Sequence, residues 1–305
     1  MENCLTTHNL TKRYRKFTAL DNVNMTVPKG AIYGFIGKNG AGKTTLIRVI
    51  CGLQAPTQGD YTLLGADYAD KKNLSKVRKH IGAIVETPAV YPDMTAYENM
   101  KHQSIIVGNP SFDQISELLS FVGLEDTGKK KVKNFSLGMR QRLSIAMTLV
   151  GNPDFLVLDE PTNGLDPQGI VEIRELILKL NKEKNITFLI SSHILGELSK
   201  LATHYGFIDN GKLIKELTAS ELEAQCRKKI LIKATGKKAL STVLDKTDYE
   251  YKMLSPDECE IYGEINVNDT LKLLADNGLT VSRISEKDED LETYFINLVG
   301  GEVND

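Results

Sequence analysis

Four short, continuously apolar and β-branched runs punctuate the first two thirds of the chain: Ala31 to Gly37, Ile81 to Glu86, Phe155 to Asp159 and Ile186 to Ser191. Runs of this length, separated by segments of helical periodicity, predict strands buried on both faces of a largely parallel α/β sheet. Between the second and third runs, Thr95 to about Val150 carries helical patterns and no comparable strand, which predicts a helical insertion into the α/β core. Its first helix opens with Thr95-Ala-Tyr-Glu98, a capping box in which Thr and Glu satisfy each other's orphan backbone N–H groups. Lys129-Lys-Lys131 inside the insertion reads as a solvated charge run. After Thr218 the pattern restarts. Ile230 to Ala234 reads as a strand, Lys238 to Leu244 as a helix, and Tyr249 to Leu254 and Glu260 to Glu264 as two strands. Asp269 to Asn277 follows as a helix, Thr280 to Ser285 as a strand and Leu291 to Val299 as an amphipathic helix. The βαββαβ order predicts a small ferredoxin-like α+β domain. The expected division is therefore 1–220 for the α/β domain, with a helical subdomain at about 88–150, and 221–305 for the accessory domain.

At 305 residues, 41% hydrophobic and 26% charged, the chain can build ordinary cores without a disulfide or a metal staple. Its apolar runs are far shorter than the roughly 20 residues that cross a bilayer, which excludes a membrane pore. The first residues, Met1-Glu-Asn-Cys-Leu-Thr-Thr, lack the basic and apolar regions of a signal peptide, so cytoplasmic residence is expected. Cys4, Cys51, Cys226 and Cys259 form no CxxC pair and read as reduced structural thiols. Residues 1–220 are net +5 and the remainder net −7, a split that suits a small polyanionic ligand at the front better than nucleic acid.

Gly37, Lys38, Asn39, Gly40, Ala41, Gly42, Lys43 and Thr44 match GxxxxGK[ST], placed after a predicted strand and before a helix running Thr45 to Ile50. The glycines let backbone N–H groups turn toward phosphate oxygens, and the helix N-terminus adds its dipole. Lys43 can reach β- and γ-phosphates, and Thr44 can ligate Mg²⁺. The apolar run Phe155 to Leu158 ends in Asp159 and Glu160, as expected for a Mg²⁺-holding carboxylate beside a general base that activates water.

With these motifs in place, the chain resembles the ATP-binding subunits of ABC transporters. Phe135-Ser-Leu-Gly-Met139 is similar to that family's LSGGQ signature, keeping Ser136 and Gly138 and departing at Leu137 and Met139. The resemblance implies that Ser136 and Gly138 meet the γ-phosphate of ATP held by a second subunit; read alone, Ser136 is a helix N-cap. Asn163-Gly-Leu-Asp166 resembles the dimer-contacting loop, His193 the residue that touches the γ-phosphate, and Tyr14 the aromatic on which adenine stacks. Glu86 stands where the family usually has Gln. It can bind Mg²⁺ or the lytic water, but it cannot donate as an amide does. That Glu variant, Asp159-Glu-Pro-Thr-Asn-Gly-Leu-Asp-Pro167 and Ile190-Ser-Ser-His-Ile-Leu195 resemble the bacitracin-resistance and lantibiotic-immunity subgroup. His8, His80, His102 and His204 match nothing.

The resemblance implies a P-loop NTPase fold, ATP and Mg²⁺ as cofactors, and Lys43, Glu86, Glu160 and His193 in catalysis. Tyr14, residues 37–45 including Thr45, Ser136 and Gly138 would bind nucleotide, and Thr44, Glu86 and Asp159 the metal. It further implies an integral-membrane permease as partner, contacted through Tyr91 to Tyr97, and a second ATP-binding subunit, identical or related. The chain would then sit on the inner face of the plasma membrane through the permease. Nucleic acid is not expected. The rival readings are another cargo, a soluble ATPase of the same family, or a slow regulatory switch.

Overall fold

The apolar runs become adjacent strands because each is buried on both faces and has to hydrogen-bond to neighbours on either side. In the computed structural model, which describes residues 2–87, 89–109, 111–226, 228–236, 239–263, 265–288, 294 and 298, the chain separates into two units, Met1–Ala219 and Ser220–Asp305.

The first unit holds a six-stranded sheet in the order Lys212–Thr218, His204–Asp209, Ile32–Ile36, Thr187–Ser192, Phe155–Asp159, Ile81–Ile84. The last five are parallel and Lys212–Thr218 is an antiparallel edge. Ile32–Ile36, Phe155–Asp159 and Thr187–Ser192 are buried at every position. Register brings Ile36 level with Ser192, and Asp159 level with Ser191, so the strands end along one edge.

A second, antiparallel sheet was not apparent in the hydrophobic pattern. Asn3–Tyr14 pairs with Phe17–Val23, Thr26–Pro28 and Gln58–Leu63, the last extended by Ala66–Asp67. Register shifts at Leu10, Lys12 and Arg13 explain the silence, because each bulge resets the two-residue alternation by which a half-buried strand is recognised. The buried side of this sheet, including Leu5, Leu20 and Leu63, shares one core with Leu46, Ile47 and Ile50 of the helix Lys43–Ile50.

The insertion is helical as expected, with Ala96–Ile106, Ile115–Phe121 and Leu137–Leu149. Its capping box is complete: Thr95 N–H donates to Glu98 Oε2 at 2.6 Å and Glu98 N–H to Thr95 Oγ1 at 3.2 Å. The Lys129–Lys131 run is not purely solvated, since Lys131 Nζ lies 3.1 Å from Glu98 Oε2 and its backbone bridges Thr95.

The second unit is an antiparallel sheet in the order Glu250–Ser255, Glu258–Tyr262, Lys228–Gly236, Leu279–Asp288. Leu240–Leu244 and Val267–Asp276 supply the helices, giving the ferredoxin-like βαββαβ arrangement. Ile230, Ile232, Leu240, Cys259, Ile261 and Leu274 form its core. The expected helix Leu291 to Val299 falls almost wholly outside the described residues. No disulfide forms among the described residues, and burial pushes the Cys4 and Cys51 thiols up to about 12 and Cys259 to about 11, keeping them protonated and unreactive.

The Thr95 backbone N–H, and then Lys131, hold the Glu98 carboxyl down at about 2. This lies below the roughly 4.3 of an unfolded glutamate, so the stabilisation is complete above about pH 5 and fades as pH falls through 4 toward 2. Urea unfolding should show Thr95→Ala costing about 1 kcal/mol at pH 7. The penalty of Glu98→Gln should shrink between pH 6 and pH 3; a penalty independent of pH would contradict the capping account.

Candidate functional site

The loop between Ile36 and Lys43 can close only with glycine at particular places. Gly40 and Gly42 have φ of 82° and 115°, and a Cβ on Gly42 would stand 2.6 Å from Ala19 O. A Cβ on Gly37 would stand 2.5 Å from Ile208 O. The turn leaves Lys38, Asn39 and Gly40 exposed while Ala41 is buried, and runs straight into the helix Lys43–Ile50, on which Thr44 and Thr45 are partly buried. The turn thus leads exposed backbone into a helix N-terminus, the arrangement that suits a phosphate. Lys43 is only 5% exposed, and its ammonium curls back over the loop, donating to Gly37 O at 2.7 Å and Lys38 O at 3.3 Å.

Asp159 closes the strand Phe155–Asp159 beneath that loop. Its Oδ2 accepts from Thr44 Oγ1 at 2.8 Å and its Oδ1 from Ser191 Oγ at 2.5 Å. Glu160 follows in a left-handed conformation, φ 51°, with its N–H donating to Ser191 Oγ at 2.9 Å. That turn lifts its side chain back over the sheet edge, where Oε1 lies 3.2 Å from Lys43 Nζ and Oε2 lies 2.6 Å from His193 Nδ1. Lys43, Thr44, Asp159, Glu160 and His193 thus form one constellation, with Ser191 beneath it.

The other expected residues stand apart from it. Glu86 does not reach the Thr44–Asp159 oxygens; its carboxylate is ion-paired with Arg48, one turn further along the loop's own helix. Ser136 caps the helix Leu137–Leu149, accepting from Met139 N–H at 3.2 Å, and lies exposed with the partly buried Gly138 beside it. Neither is hydrogen-bonded to the phosphate loop of its own chain. Tyr14 is 39% exposed, donates its hydroxyl to Gln54 and has Lys12 Nζ 5.1 Å from its ring centroid. Asp166 caps the helix Pro167–Lys184 by accepting from Gly169 N–H at 3.2 Å.

Two participants were not singled out from sequence. Ser191 could have been, because it is a hydroxyl at the end of an otherwise apolar buried strand; Arg48 carries no signal beyond its four-residue spacing from Thr44. Thr44 and Asp159 offer a hydroxyl and a carboxylate oxygen, donors that fit a hard cation such as Mg²⁺. No cluster of three or more His, Cys, Asp or Glu able to hold a metal occurs among the described residues, and a Mg²⁺ ion bound through one carboxylate and one hydroxyl would complete its shell with water and phosphate oxygens.

Residues 20–163 match the family described as ABC transporter. The chain is 40% identical over 304 residues to the bacitracin transport ATP-binding protein BcrA of Bacillus licheniformis, covering 99% of each chain. It is 47% identical over 215 residues to the lantibiotic transport ATP-binding protein SrtF of Streptococcus pyogenes, covering 70% of this chain and 91% of that one. Among solved structures, a dimeric post-hydrolysis state of the ATP-binding cassette MJ0796 bound to ADP and Pi superposes with a TM-score of 0.63 at 27% identity, covering 70% of this chain and 98% of that one. A phosphate loop closed by obligatory glycines, an acidic pair at the end of a buried strand and these likenesses converge: the chain belongs to the ATP-binding proteins of ABC transporters, cassettes that hydrolyse ATP.

Proposed function

We propose that two copies of this subunit enclose two molecules of Mg-ATP, and that hydrolysis powers a permease that clears peptide antibiotics of the bacitracin or lantibiotic type from the membrane. Residues 1–220 are the ATPase and 221–305 an accessory domain. The observation that carries the hydrolytic part is the chain of contacts Lys43–Glu160–His193 above the Thr44–Asp159 hydrogen bond. The cargo rests on the 304-residue likeness to a bacitracin transport protein, which includes the C-terminal unit.

Phosphate oxygens are stronger partners for Lys43 than a single carboxylate, so nucleotide draws the ammonium away from Glu160 and frees Oε1 for the attacking water. Glu160 accepts the proton of that water, and its other oxygen anchors His193 through Nδ1, aiming Nε2 at the γ-phosphate. Thr44 and Asp159 hold the metal, which when bound neutralises phosphate charge. Tyr14 stacks on adenine, and the loop from Gly37 to Thr45 cradles the phosphates through its backbone. Ser136 and Gly138, which make no hydrogen bond to their own phosphate loop, complete the partner's site from a helix N-terminus. The permease contacts the insertion at Tyr91 to Tyr97, where both tyrosines are exposed, and so holds the subunit on the inner face of the plasma membrane.

Loss of a general base costs typically 10²- to 10⁴-fold in rate. Glu160→Gln should therefore hydrolyse ATP slower by about that factor and accumulate as an ATP-bound dimer on size exclusion; normal turnover would refute the assignment. Lys43→Ala should weaken nucleotide binding and fail to dimerise with ATP, and dimerisation like that of the unmodified protein would count against the site. For the cargo, growth inhibition of the host by a panel of lantibiotics, bacitracin and unrelated drugs should show selective sensitisation to envelope-acting peptides when Lys43→Ala replaces the native chain. Absence of sensitisation to every peptide would overturn the cargo and leave an ATP-driven transporter of other molecules.

A further inference from the structure

Glu86 leaves the sheet beside the catalytic edge. Ile84, the last residue of its strand, is level with Leu158, one residue before Asp159, and Glu86 follows it by two residues. Its φ of 67° is one that a residue with a side chain keeps only where its surroundings hold it. Its carboxylate is ion-paired with the Arg48 guanidinium. Arg48 lies four residues after Thr44 on the helix Lys43–Ile50, hence on the same face and one turn from the hydroxyl that binds Asp159. The two side chains are 36% and 58% exposed, so the pair can part without opening the core.

We infer that Arg48 is a positioning residue: it holds the Glu86 carboxylate away from the Thr44–Asp159 oxygens until Mg-ATP binds, and so competes with the metal for that carboxylate. The inference rests on the nucleotide site proposed above. The clasp needs glutamate at this position, because a guanidinium binds a carboxylate by charge-assisted hydrogen bonds, whereas a glutamine amide is neutral and offers one acceptor oxygen. Its contact is of the exposed kind, weak enough to yield to a dication that Thr44 and Asp159 would hold.

The test is a Mg²⁺ titration of the full-length protein at fixed non-hydrolysable ATP analogue, followed by equilibrium nucleotide binding. Removing an exposed ion pair should lower the Mg²⁺ concentration at half-saturation about two- to fivefold in Arg48→Met. Arg48→Lys, which keeps the charge, should stay close to the unmodified protein. Loss of a nearby positive charge would favour Mg²⁺ by itself, so the decisive comparison is Arg48→Met in a Glu86→Gln background, where the inference predicts little or no further shift. An equal shift in both backgrounds, or none in either, overturns the clasp while leaving the nucleotide site intact. If the unmodified chain shows no Mg²⁺-dependent nucleotide binding, the site assignment falls and the clasp with it.

Discussion

The whole nucleotide half hangs on one buried carboxylate. Asp159 is 3% exposed at the end of an apolar strand, and a charge so placed is tolerable only if its oxygens are satisfied. Thr44 satisfies one oxygen and Ser191 the other. Three segments far apart in sequence, the start of the phosphate-loop helix and the ends of two parallel strands, are thus pinned to one point. Because the strands are in parallel register, with Asp159 level with Ser191, that point also sets where Glu160 and His193 emerge. Replacing any of the three by an apolar residue would leave a buried hydrogen-bonding group without a partner, a cost of about 1–3 kcal/mol that would fall on the site itself.

The second constraint is steric. Gly37 and Gly42 are confined by backbone oxygens of Ile208 and Ala19, which belong to different sheets. The loop's shape is therefore imposed by both sheets at once, and Lys43 is folded over it. Glu160 occupies the place that phosphate oxygens would take on the Lys43 ammonium. Lys43 and Glu160 thus face each other across the loop, and Arg48 and Glu86 pair beside them.

Much of this was legible in the chain, for physical reasons that differ by element. Strands buried on both faces read as unbroken apolar runs, so Ile32–Ile36 and Phe155–Asp159 appeared almost to the residue. The glycine–lysine–threonine loop and the acidic pair appeared because their chemistry restricts the residue types. The sheet built on Asn3–Tyr14 did not appear, since its bulges break the alternation, and His204–Asp209, interrupted by Gly206 and bounded by His and Asp, lacked a run strong enough to mark a central strand. Lys131 read as a solvated charge because its partner Glu98 is 33 residues away. The pairing of Glu86 with Arg48 depends on two elements meeting at the sheet edge, which no local pattern encodes.

The central claim is that each ATP is handled by the phosphate loop of one copy and the Ser136–Gly138 turn of another. Its most direct measurement mixes two variants, Lys43→Ala and Gly138→Asp, each inactive alone. Gly138 has room for a side chain, its nearest neighbour Leu165 being 4.0 Å from an added Cβ, so the aspartate should act by repelling phosphate rather than by unfolding. In a mixed dimer both lesions fall in one site and the other site is whole. With independent sites, ATP hydrolysis should return on mixing to between about a quarter of the unmodified rate, where pairing is random, and about half, where only mixed dimers form. A mixture as inactive as its components would contradict a shared site.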